Sequence, residues 1–227
     1  MRLKDLQIFL HDRVRQLRRL WDPNFKERKV LDIGSGHRPH IEATHLVDLY
    51  LTDDRERGKK LKRVGKTLIQ ADVEALPFKD KVFDYVYASH VLEHTVDPVE
   101  ACKELMRVGK AGYIETPDPF FEQGYGYPNK ERGWSFHRWF VWVDADRTLI
   151  FERKTEESGD QYCNCRYASF VRKIYAKLSD LNKLHKVLQR ECNYTCFEWA
   201  EKFEYRVIAE RNRNSETEVI SNQRISH

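Results

Sequence analysis

The sequence predicts an α/β fold built on a doubly wound, mostly parallel sheet of about seven strands, and three observations lead there. Short apolar segments alternate with helix-like or polar stretches from residue 29 onward. The first segment, Val30-Leu31-Asp32-Ile33, runs into Gly34-Ser35-Gly36, a turn whose glycines let a ligand approach the backbone. The second, Leu46-Val47-Asp48-Leu49, carries an acid near its end. A carboxylate at that place in such a sheet commonly grips ribose hydroxyls.

The elements follow in order. Residues 3–21 read as an amphipathic helix, with Leu3, Leu6, Leu10, Val14, Leu17 and Trp21 at intervals of three and four, stopped by Asp22-Pro23-Asn24. Strands are expected at 29–33, 45–50, 67–71, 83–88 and 111–115. The helix after the fourth strand starts near Pro98 and turns Val99, Cys102, Leu105 and Met106 inward. Residues 117–136 then break the rhythm with three prolines, three glycines and six aromatics, a long loop of the kind that is usually functional. A hairpin is expected at 137–143 and 148–153, a long amphipathic helix at 167–191, and a final strand pair at 194–199 and 203–209. In domain terms, residues 1–24 form the leading helix and 25–211 a single domain with 117–153 as its loop-and-hairpin insertion. Residues 212–227 are a polar tail expected to be disordered.

Composition narrows the class. The chain has 227 residues, 41% of them apolar and 33% charged, enough for one α/β domain with additions. No apolar run approaches the ~20 residues of a membrane span, and Arg and Lys interrupt the N-terminus, so a cytoplasmic protein is expected. The net charge of +4 permits acidic partners without requiring them. Basic residues concentrate at Arg13 to Arg19 and at Lys59 to Lys66, as solvated faces or as a phosphate-binding surface. Five cysteines argue against a disulfide framework in such a compartment. Cys163, Cys165, Cys192 and Cys196 lack the spacing of common zinc ribbons, and free packed thiols are the simpler reading.

Four further motifs sharpen the picture: Ala71-Asp72-Val73-Glu74-Ala75-Leu76-Pro77-Phe78, Phe83-Asp84-Tyr85-Val86, His90-Val91-Leu92-Glu93-His94, and the opening Leu31-Asp32-Ile33-Gly34-Ser35-Gly36. Together they resemble the class I S-adenosylmethionine-dependent methyltransferases, type 11-like, of the group with a D-x-x-x-L-P-F stretch and an H-V-L-E-H signature. The resemblance covers residues 29 to about 117. It implies a Rossmann-like sheet, S-adenosylmethionine as cofactor, and methyl transfer as the activity. It places Gly34, Ser35 and Gly36 against the amino-acid part of the cofactor. Asp32 would fix that turn or reach the ammonium through a water. Asp48, with Leu49 beside it, would take the ribose hydroxyls, and Asp72 and Val73 would face the adenine. Ser89 and His90 would lie near the sulfonium. Acids at three strand ends suit this phosphate-free cation better than a dinucleotide, whose pyrophosphate prefers a helix N-terminus. The sequence departs from the family where His37-Arg38-Pro39-His40 replaces a third glycine and shortens the first crossover, leaving room for at most one helical turn begun at Pro39.

Methyl transfer is an in-line displacement in which the protein mainly positions the reactants, and a hydroxyl acceptor additionally needs a base. His137 and His94 are the catalytic candidates, with Asp118 and Glu122 behind them; each histidine also has a purely structural reading. Asp118, Glu122, Tyr125 and Trp134 are the candidate substrate residues, because aromatics mixed with polar groups suit a small polar or sugar-like ring. No metal ligand set is expected. O-methylation of such an acceptor is the favoured function. A nucleic-acid methyltransferase and a non-catalytic cofactor-binding protein are the alternatives. Asp144-Ala145-Asp146 resembles the metal-binding signature of glycosyltransferases, but reads more simply as a polar turn between two strands. Oligomeric state is not legible in the sequence.

Overall fold

The computed structural model describes residues 28–53, 59–62, 65–119, 136–154, 194–208 and 219–223. The expected helices at 3–21 and 167–191 and most of the aromatic loop lie outside the described residues. Five parallel strands form the heart of the molecule: β1 Val30–Ile33, β2 His45–Asp48, β3 Thr67–Gln70, β4 Tyr85–Ser89 and β5 Ala111–Pro117. A sixth, β8 Tyr194–Ala200, pairs antiparallel with β5 and gives the order β3-β2-β1-β4-β5-β8. The chain order reverses between β1 and β4, so the ligand crevice of this sheet opens at their carboxyl ends.

Strand burial follows from strand position. All four residues of β1 are buried, as expected for a central strand covered on both faces. β3, at the edge, is exposed or half-buried throughout. Between β4 and β5 stands one described α-helix, α1 Pro98–Val108. Asp97 caps it by accepting from the N–H groups of Val99 and Glu100, and proline at the first helical position needs no N–H partner. Ala101, Cys102, Leu105 and Met106 are buried on its inner side. Val99 packs only partly, and Val108 replaces it as a fully buried contact.

Between β1 and β2 the chain makes turns and no helix at all, against the single helical turn expected after Pro39. The eleven residues from 34 to 44 are too few to cross a sheet through a helix, and hydrogen bonds from Gly34 and Ser35 N–H to the Val47 carbonyl (2.8 and 3.2 Å) close the connection directly.

A second sheet was not expected. β6 Trp139–Val143, β7 Leu149–Arg153, β9 Tyr205–Ile208 and β10 Val219–Gln223 form a four-stranded sheet in the order β10-β9-β7-β6. The hairpin β6–β7 is where the alternation placed it. Asp144 caps its turn by accepting from the N–H groups of Asp146 and Thr148, both at 2.9 Å. The last two expected strands, however, do not form a pair. β8 completes the first sheet, while β9 runs parallel to β7 in the second. The tail, expected to be disordered, supplies β10 to the free edge of β9. Among the described residues the strands number six in the first sheet and four in the second, beside an expectation of about seven in one. The Thr116 and Thr195 hydroxyls both donate to the Val141 carbonyl, which ties the two sheets together in the core.

Candidate functional site

The carboxyl edge of the first sheet brings the predicted residues together in two groups. In the first, Gly34 and Gly36 both take positive φ (65° and 50°), the region that favours glycine. A Cβ on Gly34 would meet Val91 Cγ2 at 2.5 Å. Gly36 N–H donates to Asp48 Oδ2 at 3.1 Å, and Tyr50 N–H donates to Oδ1 at 3.1 Å. Asp48 is thus buried and held by backbone donors on both oxygens. Asp32 is also buried, and its Oδ2 accepts from His40 N–H at 2.7 Å. Burial pushes its carboxyl up to about 7, helped by nearby Asp48 and opposed by the His40 N–H and Lys66. Lys66 in turn donates to the carbonyls of His40 and Ile41, and the His40 ring stacks on Tyr87. His40 therefore helps to hold the shortened loop.

Asp72 Oδ1 accepts from Glu74 N–H in a tight turn, with Val73 buried behind it. Leu49, by contrast, is exposed. The L-P-F stretch is held from α1: Glu104 accepts from Leu76 N–H, and Arg107 donates to the Leu76 and Phe78 carbonyls.

The second group surrounds a single 3-10 turn, Leu92–His94. His90 leaves β4 with φ +57, uncommon for a residue with a Cβ. Its Nδ1 lies 3.2 Å from Glu93 Oε1, and its ring meets Tyr194 edge-on. Glu93 is 1% exposed. Burial pushes its carboxyl up, but the His90 hydrogen bond and the charges of His94, His90 and His137 outweigh it and hold it at about 2. The rings of His94 and His137, the two catalytic candidates, meet edge-to-face with centroids 4.5 Å apart. They come from segments far apart in sequence. Arg138 N–H donates to the Glu93 carbonyl (2.7 Å) and Trp139 Nε1 to the Thr95 carbonyl (2.8 Å), which binds the start of β6 to the turn.

Glu115 is the site residue that sequence reasoning missed. It is buried at the end of β5, accepts from Ser89 Oγ at 2.9 Å and from the Tyr113 hydroxyl at 2.6 Å, and lies 4.0 Å from His90 Nε2. An acid two residues from a tyrosine in an apolar strand was the available signal. Of the substrate candidates, Asp118 lies half-buried just past β5, whereas Glu122, Tyr125 and Trp134 lie outside the described residues. Cys196 is a free thiol, and Cys163, Cys165 and Cys192 fall outside the described residues as well.

The residues present fit S-adenosylmethionine. Both glycines of the turn take the left-handed backbone, Ser35 Oγ is buried with no hydrogen-bond partner among the described residues, and the nearby acids suit a cation. The strand order, the glycine turn after β1 and the buried acid ending β2 are the arrangement that the resemblance to class I S-adenosylmethionine-dependent methyltransferases implies. Residues 31–114 match the family described as a methyltransferase domain. Over 96 residues the chain is 36% identical to cycloartenol-C-24-methyltransferase 1 of Oryza sativa subsp. japonica, covering 37% of this chain and 28% of that protein. Over 113 residues it is 29% identical to the ubiquinone/menaquinone biosynthesis C-methyltransferase UbiE of Cronobacter sakazakii (strain ATCC BAA-894), covering 42% of this chain and 45% of that protein. A solved protein of Pyrococcus horikoshii OT3 is 23% identical, with a TM-score of 0.36 over 67% of this chain and 79% of that one. The chain spans less than half the length of the curated relatives it matches. No helix among the described residues is long and apolar enough to cross a membrane.

Proposed function

We propose that the protein transfers a methyl group from S-adenosylmethionine to an oxygen of a small polar or sugar-like acceptor. The observation that carries the transfer is the pair of buried acids, Asp32 and Asp48, locked around the Gly34-Ser35-Gly36 turn at the point where the sheet reverses. Asp48 would hold the ribose hydroxyls, Gly34 to Gly36 the amino-acid part, and Asp72 the adenine edge. When bound, the cofactor supplies a methyl carbon already activated by its sulfonium.

Support for an oxygen acceptor comes from the second group. The curated relatives carry carbon methylation in their names, whereas the His94–His137 pair beside the ionised Glu93 is suited to handling a hydroxyl proton. The polar aromatic composition of residues 117–136 supports a ring-shaped acceptor.

Calorimetric titration with S-adenosylhomocysteine tests the first part. Micromolar binding is expected, and Asp48→Ala should weaken it roughly 100-fold through two lost charge-assisted hydrogen bonds. Unchanged affinity in that variant removes the assigned pose. A panel of sugars and nucleotide sugars tests the second part. Methylated product from carbon acceptors alone would overturn the oxygen assignment.

A further inference from the structure

We propose that Glu93, His94 and His137 form a binding site for one divalent transition-metal ion, of the Zn²⁺ or Co²⁺ kind, beside the cofactor edge. One ligand atom from each of the three lies within 4.8 Å of the others. Two imidazole nitrogens and one carboxylate suit such an ion, and leave coordination positions open for an exogenous oxygen.

Three features make this more than a meeting of polar side chains. Glu93 is fully enclosed, yet its Oε2 has no hydrogen-bond partner among the described residues. A carboxyl oxygen buried in that way without a partner is costly unless another group answers it. The other oxygen, Oε1, is steadied by His90 Nδ1 at 3.2 Å, an outer contact of the sort that orients a metal ligand. Finally, the two ligand-bearing segments are fixed to one another before any ion arrives. The Arg138–Glu93 hydrogen bond lies between backbone groups adjoining His137 and His94, and the Trp139 side chain, two residues past His137, donates to the Thr95 carbonyl next to His94.

One carboxylate against a divalent ion leaves a net positive charge at the open positions. That charge would take a hydroxyl of the acceptor and lower its pKa, the proton passing to solvent. A vicinal diol, able to offer two oxygens, is the acceptor class this arrangement fits best. The histidines then act as ligands, and the ion takes over the handling of the acceptor proton. This purpose rests on the methyl-transfer reading, but ion binding itself does not.

The experiment uses the full chain, stripped with a chelator and dialysed. Co²⁺ is titrated by visible absorption and by calorimetry, with and without S-adenosylhomocysteine, and Zn²⁺ is then used to displace it. One equivalent of Co²⁺ with visible ligand-field bands is expected. Glu93→Gln and His137→Gln should each weaken it by about 10-fold or more. His137 is only half-buried, so its variant carries the test if Glu93→Gln does not fold. No Co²⁺ uptake by the wild type, or equal uptake by a folded variant, overturns the site. S-adenosylhomocysteine binding without Co²⁺ uptake would sink the metal site and leave the methyltransferase reading standing; Co²⁺ uptake without cofactor binding would do the reverse.

Discussion

Asp32 and Glu93 are buried carboxylates with opposite titration behaviour, and the difference lies in what surrounds them. Asp32 has one backbone donor and a second acid nearby, so burial wins and its carboxyl rises to about 7. Glu93 has three histidines around it, and they win over burial. For Asp32 the folded state holds its proton more tightly than the unfolded chain. Its contribution to stability is therefore complete at acidic pH and is lost as pH rises from about 4 to about 7. Asp32→Asn keeps the acceptor for the His40 N–H and removes the charge. Its unfolding free energy relative to wild type should rise between about pH 5 and pH 8, by on the order of 2 kcal/mol in urea unfolding. A difference that stays flat across that range would show that Asp32 is not held protonated. At this scale the residues beside the glycine turn were legible, because their partners are close in the chain. Glu115 was not. Its hydroxyl donor Ser89 is 26 residues away, and only the pairing of β4 with β5 brings the two together.

Elements were legible where the alternation of strand and helix forces a single arrangement. Val30 to Ile33 had to be a central strand, and Pro98 behind Asp97 had to start a helix. What the pattern does not carry is which sheet a late strand joins. Tyr194–Ala200 and Tyr205–Ile208 alternate alike, and the residues between them invite a hairpin. The decision falls at Gly112. In β5 it lies against the Trp199 ring, and a Cβ there would meet the Val86 carbonyl at 2.5 Å and the ring at 2.7 Å. Only a bare backbone lets β8 close on β5 with Trp199 seated over it. Gly112→Ala should therefore destabilise the protein by roughly 1–3 kcal/mol in urea unfolding. A neutral effect would mean that β8 is not seated as described.

For the whole molecule, the second sheet is built from the insertion and the end of the chain, two regions separated in sequence by the expected long helix. Nothing in local periodicity announces a parallel pairing of β7 with β9, since its cause is a contact between distant segments. β10 covers the outer edge of β9, and an uncovered edge strand is a template for association. A chain ended at residue 211 is expected to keep S-adenosylhomocysteine binding and to self-associate on size exclusion. A monodisperse truncated chain with the wild-type elution would show that the edge needs no cover. The same wide view gives meaning to the clamp between the 3-10 turn and the start of β6. The Thr95–Trp139 bond joins residues 44 apart, and closing a longer loop costs only about 0.6 kcal/mol per doubling of its length. Within the clamped stretch, only the part between the end of β5 and the start of β6 is flanked by held ends, so on the methyl-transfer reading its length and sequence can change while the cofactor edge stays where it is, and acceptor preference is what evolution, or an engineer, can rewrite most cheaply.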